Sequence, residues 1–256
     1  MSKSIAIKND LRNDAREGSG SLRSCVRLGM YLAWFGFLSC LVASGAGDVK
    51  VQASRAFSPV FPYDALIAGR GGSAEVKFTV DHSGRAIFAA VVTASEPAFG
   101  QAFMADIDAS EFLPPRVNGR PIMTQTKESY TFPASPPLDA VAKEILAELR
   151  KPTPELSTVD QLDRKLEPIR QPLPAYPWSM RSDGVSGEAE IEFIIDRDGR
   201  PLFPRIVSAT YEEFGWAAAT AIQRWRYKSP MKSGAKVDVR VTTKVIFDIK
   251  NSAGMW

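Results

Sequence analysis

The sequence contains little of the chemistry on which enzymes and metal sites depend. Only two cysteines are present, Cys25 and Cys40, so the rest of the chain has no thiol for a disulfide or a thiolate metal site. His82 is the only histidine, which excludes a His-pair metal site and leaves little scope for a Ser-His-Asp relay. Phosphate-binding-loop, nucleophile-elbow and zinc-protease motifs are also absent. We therefore expect no catalytic residues, no metal and no cofactor.

A strong excess of charge of one sign is absent as well. The 256 residues include 32 basic and 29 acidic side chains, for a formal net charge of +3, and 45% of the residues are hydrophobic. This charge balance is too even to indicate a nucleic-acid partner. The hydrophobic content is typical of a globular protein, and the length suits one large or two small domains.

Long apolar runs are absent except for one near the N-terminus. Residues 1–27 are polar and rich in Lys and Arg, residues 28–42 are mainly apolar, and small residues follow them. This order is typical of a secretory signal, whereas a transmembrane anchor needs about 20 apolar residues. Residues 1–47 are therefore either a signal peptide or an N-terminal membrane anchor over 28–46, with lipoprotein processing at Cys40 as a third reading. Each reading places the remaining chain outside the cytoplasm.

The strongest pattern in the sequence is an internal repeat without gaps. Residues 61–132 align with residues 176–247 at one constant offset, and about a quarter of the paired positions are identical. Two copies are too few for a solenoid, whose stacked units need three or more. We therefore expect two tandem small domains, at residues 58–133 and 170–250.

Each copy predicts the same local structure, which is clearest in the second. Polar and apolar residues alternate over 188–195 and 237–249, and residues 202–208 predict a further strand. Residues 196–199 predict a hairpin turn, and helical spacing of apolar residues predicts a helix over 212–225. The expected fold class is α+β, each domain being a three-stranded antiparallel sheet packed against one or two helices. The expected core residues are Phe193, Ile195, Phe214, Trp225 and Phe247.

The first copy and the linker add two further expectations. The helix of the first copy contains Asp106 and Asp108, which lower helix propensity, so we expect the same fold with lower stability. The linker, residues 134–169, is rich in proline, and apolar residues at helical spacing predict an amphipathic helix over 138–150. Its apolar stripe is expected to pack against one of the repeats. A second apolar stripe over 156–166 predicts another short helix.

The motifs of the second copy, taken together, resemble the C-terminal domain of TonB energy transducers. They are Tyr176 with Pro177, Gly184, Gly187, the strand and turn over 190–199, Trp225 with Arg226, Tyr227 and Pro230, and the alternating valines of the last strand. The likeness covers about residues 170–250 well and 58–133 in degenerate form. It implies a protein of the Gram-negative cell envelope, located in the periplasm by export or held in the inner membrane.

The resemblance also implies a class of partners. The family binds outer-membrane transporters and couples them to an inner-membrane proton-driven motor, so transporters and motor proteins are the expected partners. Three features differ from that pattern: residues 48–60 form only a short connection, the apolar segment over 28–46 has no histidine, and the domain occurs twice. An envelope structural or peptidoglycan-associated adaptor without transducer activity is therefore the alternative. An envelope enzyme, or an enzyme inhibitor, that uses a cleft between the repeats is a third.

The last strand is the expected partner-binding element. Because residues 237–249 end the domain, this strand is expected at a sheet edge, where an extended peptide could add as an extra strand. The resemblance implies the same mode, since the TonB domain is thought to recruit a transporter segment by such pairing. The expected pairing region contains Val239, Val241, Thr243 and Val245. Basic residues nearby are interpreted as a solvated face, with docking to peptidoglycan or an acidic partner as the alternative: Arg224, Arg226, Lys228, Lys232 and Lys236.

Overall fold

The computed structural model describes residues 51–55 and 57–252. The predicted export or anchor segment, residues 1–47, lies outside these residues. None of the helices in the described part of the chain combines the length and the apolar character that crossing a bilayer requires.

The first repeat is a three-stranded antiparallel sheet with one long helix on one face. A short helix, α1 (Tyr63–Ile67), precedes the hairpin of β1 (Gly72–Val80) and β2 (Ala86–Ala94), which is followed by α2 (Pro97–Ala109) and β3 (Thr124–Phe132). The strand order is β2-β1-β3, so β1 is central and β3 lies at an edge. Two-residue and three-residue strands occur in the loops, and a strand over Gln52–Arg55 pairs with Glu111–Leu113.

The linker contributes one long helix, α3 (Ala140–Leu149), which confirms the amphipathic helix predicted there. The helix begins where the Asp139 carboxylate accepts a hydrogen bond from the Ala142 N–H at 2.9 Å. Its buried Ile145 and Leu149 pack with Ile194 of the second repeat, so the apolar stripe is covered as expected.

The second helix predicted in the linker is wrong except for a single turn. Ser157–Thr158 forms a strand and Val159–Gln161 a 3-10 turn. Leu162 and Leu166 do pack against the second core, but they do so from a largely extended segment. The apolar spacing therefore indicated that residues of this segment are buried, but it did not indicate the conformation of the backbone.

The second repeat has the same element order as the first. It contains α4 (Trp178–Ser182), β4 (Gly187–Ile195), β5 (Pro201–Ala209), α5 (Glu212–Ile222) and β6 (Val239–Phe247). The strand order β5-β4-β6 repeats that of the first sheet, and Ser157–Thr158 adds a fourth strand beside β6. The α+β class with two tandem sheet-and-helix units is confirmed. Short strand pairs in the connecting segments and a final short helix, Ile249–Ser252, complete the repeat.

The hairpin turn is the same in both repeats and explains two of the glycines. The buried Asp196 carboxylate accepts hydrogen bonds from two backbone N–H groups of its own turn, and Asp81 does the same in the first repeat. Gly84 and Gly199 follow with φ of 86° and 79°, and a Cβ there would lie 2.1 and 1.9 Å from a backbone carbonyl oxygen. Only glycine fits both this conformation and this close approach.

The two cores differ in polarity. All five predicted core residues of the second repeat are buried. The first core contains the buried polar residues Asp106, Thr126 and Glu128 where the second has Ala221, Val241 and Thr243. Burial raises the pKa of Asp106 to about 8, and nearby Glu128 raises it further whereas Arg224 lowers it. Burial likewise raises the pKa of Glu128. The expectation of a less stable first repeat remains a prediction, and these groups supply a physical reason for it.

The two repeats contact each other through α2 and α5. Trp216 and Ala219 of α5 belong to the buried core of the first repeat. The short helices exchange contacts reciprocally, because α4 packs on β2 and α1 packs on β5. Since equivalent elements make equivalent contacts, the repeats are related by an approximate two-fold axis.

Candidate partner-binding edge

The β6 strand lies at the edge of the second sheet, but the linker covers its beginning. Ser157 and Thr158 pair in parallel with Val239 and Arg240, and no other described strand pairs on this side. The part of the edge without a neighbouring strand, within the described chain, therefore starts near Thr242.

The hydrogen-bond register decides which β6 residues point outward. The Glu188 N–H donates to Thr210 Oγ1 at 3.1 Å, and the Glu188 carbonyl accepts from the Thr210 N–H at 2.9 Å, so the backbone of Glu188 faces β5. Backbone groups alternate in direction along a strand. Ala189 and the alternate residues after it therefore face β6, and Ala189 pairs with Val245 in a ladder without a bulge.

It follows that the even-numbered residues of β6 direct their N–H and C=O groups away from the sheet. Beyond the segment that the linker covers, these residues are Thr242, Lys244 and Ile246, and all three have exposed side chains. Ile246 is 71% exposed, the highest value among the large hydrophobic side chains of the described residues. The candidate edge is defined here as these three residues.

The four residues predicted as the pairing region lie on β6, but on its inner side. Val239, Val241 and Val245 are buried in the second core, Thr243 is half-buried, and their backbone groups face β4. Their role in binding stays a prediction, and their backbone groups are not the ones with which a partner strand would pair. The alternation that predicted the strand already indicated this, because the valine positions had to face the core.

One ion pair marks the solvent face of the edge. Lys244 Nζ lies 2.7 Å from Glu188 Oε1, and both side chains are about half exposed. The hydrogen bond and the charge of Glu188 raise the pKa of Lys244. Exposed pairs of this kind contribute little to stability, so Lys244 can turn aside for a partner at small cost. A lysine here also discourages edge-to-edge aggregation.

The first repeat has an equivalent edge at β3, and this edge offers a matched control. The backbone N–H and C=O groups of Ser73 bond with Ser95 on the β2 side, which fixes the same register as in the second sheet. Gln125, Lys127 and Ser129 therefore point their backbone groups outward. Their side chains are polar and exposed, and the counterpart of Ile246 is the exposed Thr131, so this edge lacks a large apolar side chain.

The predicted basic face is largely engaged by polar groups of the same chain. Lys228 pairs with Glu167, Lys232 donates to Gln161 at 2.7 Å, and Lys236 pairs with Asp198 at 3.3 Å. Arg224 lies over the Phe57 ring at 4.3 Å, and Arg226 donates to a neighbouring carbonyl. The arrangement therefore favours a solvated structural role over an acidic partner.

The cleft between the repeats is where an enzyme site would be sought. It has a volume of about 230 Å³, and its lining includes Arg85, Asp108, Ser110 and Arg181. Burial raises the pKa of Asp108 to about 7, opposed by a hydrogen bond from the Trp178 N–H. The Ser110 hydroxyl donates to a backbone carbonyl, so it is not paired with a base. Across residues 51–55 and 57–252, no group of three or more His, Cys, Asp and Glu side chains is placed to hold a metal.

Comparison with known proteins gives consistent matches. The family model described as the Gram-negative bacterial TonB protein C-terminal matches residues 58–133 and 172–249, more than half of the chain. Protein TonB of Pseudomonas aeruginosa is 30% identical over 86 residues, which are 33% of this chain and 25% of that protein. The chain thus matches about a quarter of the length of this curated relative. A solution NMR structure of the Pseudomonas aeruginosa TonB CTD is 27% identical, covering 34% of this chain and 88% of that one, with a TM-score of 0.30.

Proposed function

The chain belongs to the TonB C-terminal family, and from this membership we propose that it binds partner proteins of the cell envelope through the edge of its second sheet. The observation that carries the proposal is the outward backbone of Thr242, Lys244 and Ile246, beside which the described chain places no strand. The expected partner is an extended segment of an outer-membrane transporter.

Strand addition accounts for both affinity and selectivity at this edge. Each new backbone hydrogen bond contributes about 1 kcal/mol, and several can form alongside 242–247. The side chains of Thr242, Lys244 and Ile246 would lie beside those of the added strand on the solvent face. An apolar partner residue would cover Ile246, and an acidic one would replace Glu188 as the ion-pair partner of Lys244.

Energy transduction is a more specific function within this proposal. It requires the apolar segment over 28–46 to be retained as an anchor that contacts motor proteins, which a cleaved signal peptide would not permit. A periplasmic adaptor without transducer activity is the second candidate function. The reciprocal packing of the two repeats favours it, because the duplication builds a self-contained unit in one chain.

The decisive experiment replaces one outward residue of each edge with proline. Thr242→Pro removes an outward N–H and breaks no bond to β4, whereas Thr243→Pro would remove a bond within the sheet. Lys127→Pro is the matched control, since Lys127 holds the same register position in the first sheet. Binding is measured with labelled peptides from the periplasm-facing segments of outer-membrane transporters.

We expect Thr242→Pro to weaken peptide binding at least tenfold, and Lys127→Pro to leave it unchanged. A tenfold loss equals about 1.4 kcal/mol, comparable to one or two hydrogen bonds. Circular dichroism must show that both variants are folded. If the folded Thr242→Pro variant binds like the parent, strand addition at β6 is wrong. Crosslinking in envelope extracts then distinguishes a transporter partner from peptidoglycan.

A further inference from the structure

The approximate two-fold axis creates two equivalent corners on the outer surface of the molecule. Each corner contains an aromatic residue from the short helix of one repeat and a phenylalanine from the second strand of the other. Trp178 contacts Phe88 at a ring distance of 4.3 Å, and Tyr63 shares an apolar cluster with Phe203. Phe88 and Phe203 even share the same unusual backbone conformation, with φ of 54° and 52°.

The Tyr63 corner is covered by the linker helix. Ile145 and Leu149 of α3 are buried in a cluster that includes Ile194, with Val141, Leu202 and Phe203 packed against it. The cover is therefore an amphipathic helix with branched aliphatic residues at i, i+4 and i+8.

Polar contacts at both ends of α3 fix its direction on this corner. Arg200 Nη1 bonds Asp139 Oδ2 at the start of the helix. Arg150, at its end, donates to the backbone carbonyls of Leu66 and Ile67 at 2.8 and 3.0 Å. The helix thus has an acidic residue at its start and a basic residue at its end, and both contact the Tyr63 corner.

The Trp178 corner has the same layout without such a cover in the described chain. Ile87, Phe88 and Arg85 occupy the positions of Leu202, Phe203 and Arg200 in the repeat. Phe88 remains 56% exposed although it touches Trp178. The 230 Å³ cleft borders this corner and is lined in part by Ile87 and Trp178.

We propose that the Trp178 corner binds an amphipathic helix of a partner protein. That helix has an acidic residue at its first position and branched aliphatic residues at i, i+4 and i+8. The acidic residue lies against Arg85 as Asp139 lies against Arg200. This site is distinct from the β6 edge, and the inference does not rest on strand addition there.

Two features of the sequence favour a partner helix over other occupants. The polar leader of this chain, residues 1–27, is rich in Lys and Arg and does not complement a corner that carries Arg85 and Arg181. The helix of this chain that does fit, α3, already packs on the Tyr63 corner. Thr79 stands where the covered corner has Ile194, so binding at the Trp178 corner is weaker and reversible.

The test uses a peptide of residues 137–149 as a probe, because it carries the apolar stripe and the acidic first residue of α3. A staple between positions 143 and 147, which are exposed in α3, keeps this short peptide helical. Binding to the purified mature protein is followed by fluorescence anisotropy and by the NMR shift of the Trp178 indole N–H. Phe88→Ala should weaken binding at least fivefold, and Thr79→Ile should strengthen it at least threefold.

Val92→Ala serves as the control, since Val92 is another exposed apolar residue of β2. It should leave the peptide affinity unchanged. A peptide with asparagine in place of Asp139 should bind about threefold more weakly, which tests the contact with Arg85.

Three kinds of outcome overturn the proposal, the first of which takes two forms. The first is absence of binding to both the parent and the Thr79→Ile protein, or binding that Phe88→Ala leaves unchanged. The second is self-association that Phe88→Ala abolishes, which would identify a second copy as the occupant. The third is binding that appears only after residues 1–50 are removed, which would identify that segment as the occupant.

Discussion

Replacing Asp106 by asparagine tests whether the first core contains a carboxyl group that folding keeps protonated. Asp106 is 5% exposed, and one of its carboxyl oxygens has no hydrogen-bond partner. Burial raises its pKa from 3.8 to about 8, helped by Glu128 and opposed by Arg224. Tyr130 also lies close enough for the Asp106 charge to raise its pKa. The folded chain therefore holds a proton that the unfolded chain releases above about pH 4.

The sign of the pH dependence follows from this difference. A group whose pKa is raised by folding stabilises the protein below its unfolded pKa, and this stability is lost as the pH rises through the folded pKa. At about 1.4 kcal/mol per pKa unit, Asp106 should contribute at most about 4 kcal/mol to the fall in unfolding free energy between pH 5 and pH 8.

Urea unfolding at these two pH values is the assay. Asp106→Asn should remove the part of the fall in unfolding free energy that Asp106 contributes, because the amide does not ionise, whereas the part due to Asp108 and Glu128 remains. Asp183→Asn, at an exposed helix end, is the control and should leave the fall unchanged. If the parent and Asp106→Asn lose the same stability between pH 5 and pH 8, the account of the first core is wrong.

Three further predictions concern the turn, the second repeat and export. Gly199→Ala should destabilise the chain by more than about 3 kcal/mol in urea unfolding, because the new Cβ would clash with a backbone carbonyl. Gly184→Ala is the control and should cost only about 1 kcal/mol, because a Cβ there would contact no other atom. Equal losses would contradict this. A fragment of residues 170–256 should show cooperative thermal unfolding by circular dichroism. Its unfolding temperature should be lower than that of the full chain, since Trp216 no longer packs against the first repeat. A fragment without a transition would show that the repeat cannot fold alone. N-terminal sequencing of envelope-purified protein should find a chain that starts just after residues 28–46 or retains them, and full-length protein in the cytosol would contradict both.

Much of the second repeat could be predicted from local patterns. Alternation over 237–249 predicted a strand, and the structure places it at Val239–Phe247. The same alternation indicated which side chains face solvent, because buried valines at odd positions leave the even positions exposed. To identify the edge residues, one therefore needs to know only the register of β6, which is set by its pairing with β4.

Contacts between the repeats could not be predicted with the same ease. Trp216 and Ala219 lie outside the stripe that marks the inner face of α5, and they are buried by the first repeat. A helix that is apolar nearly all round indicates a second packing partner, but it does not say which one. No local pattern in the sequence indicated that Asp106 and Glu128 are buried, since burial of a polar residue depends on tertiary packing. The linker strand beside β6 likewise depends on where the linker docks.

Hydrogen exchange of the β6 amides tests the central claim, strand addition at this edge, most directly. In the free protein, the outward N–H groups of Thr242, Lys244 and Ile246 should exchange quickly. When a transporter peptide saturates the protein, they should become protected, while the outward N–H of Lys127 on β3 stays unchanged. Unchanged exchange at all three β6 amides in the saturated complex would contradict strand addition.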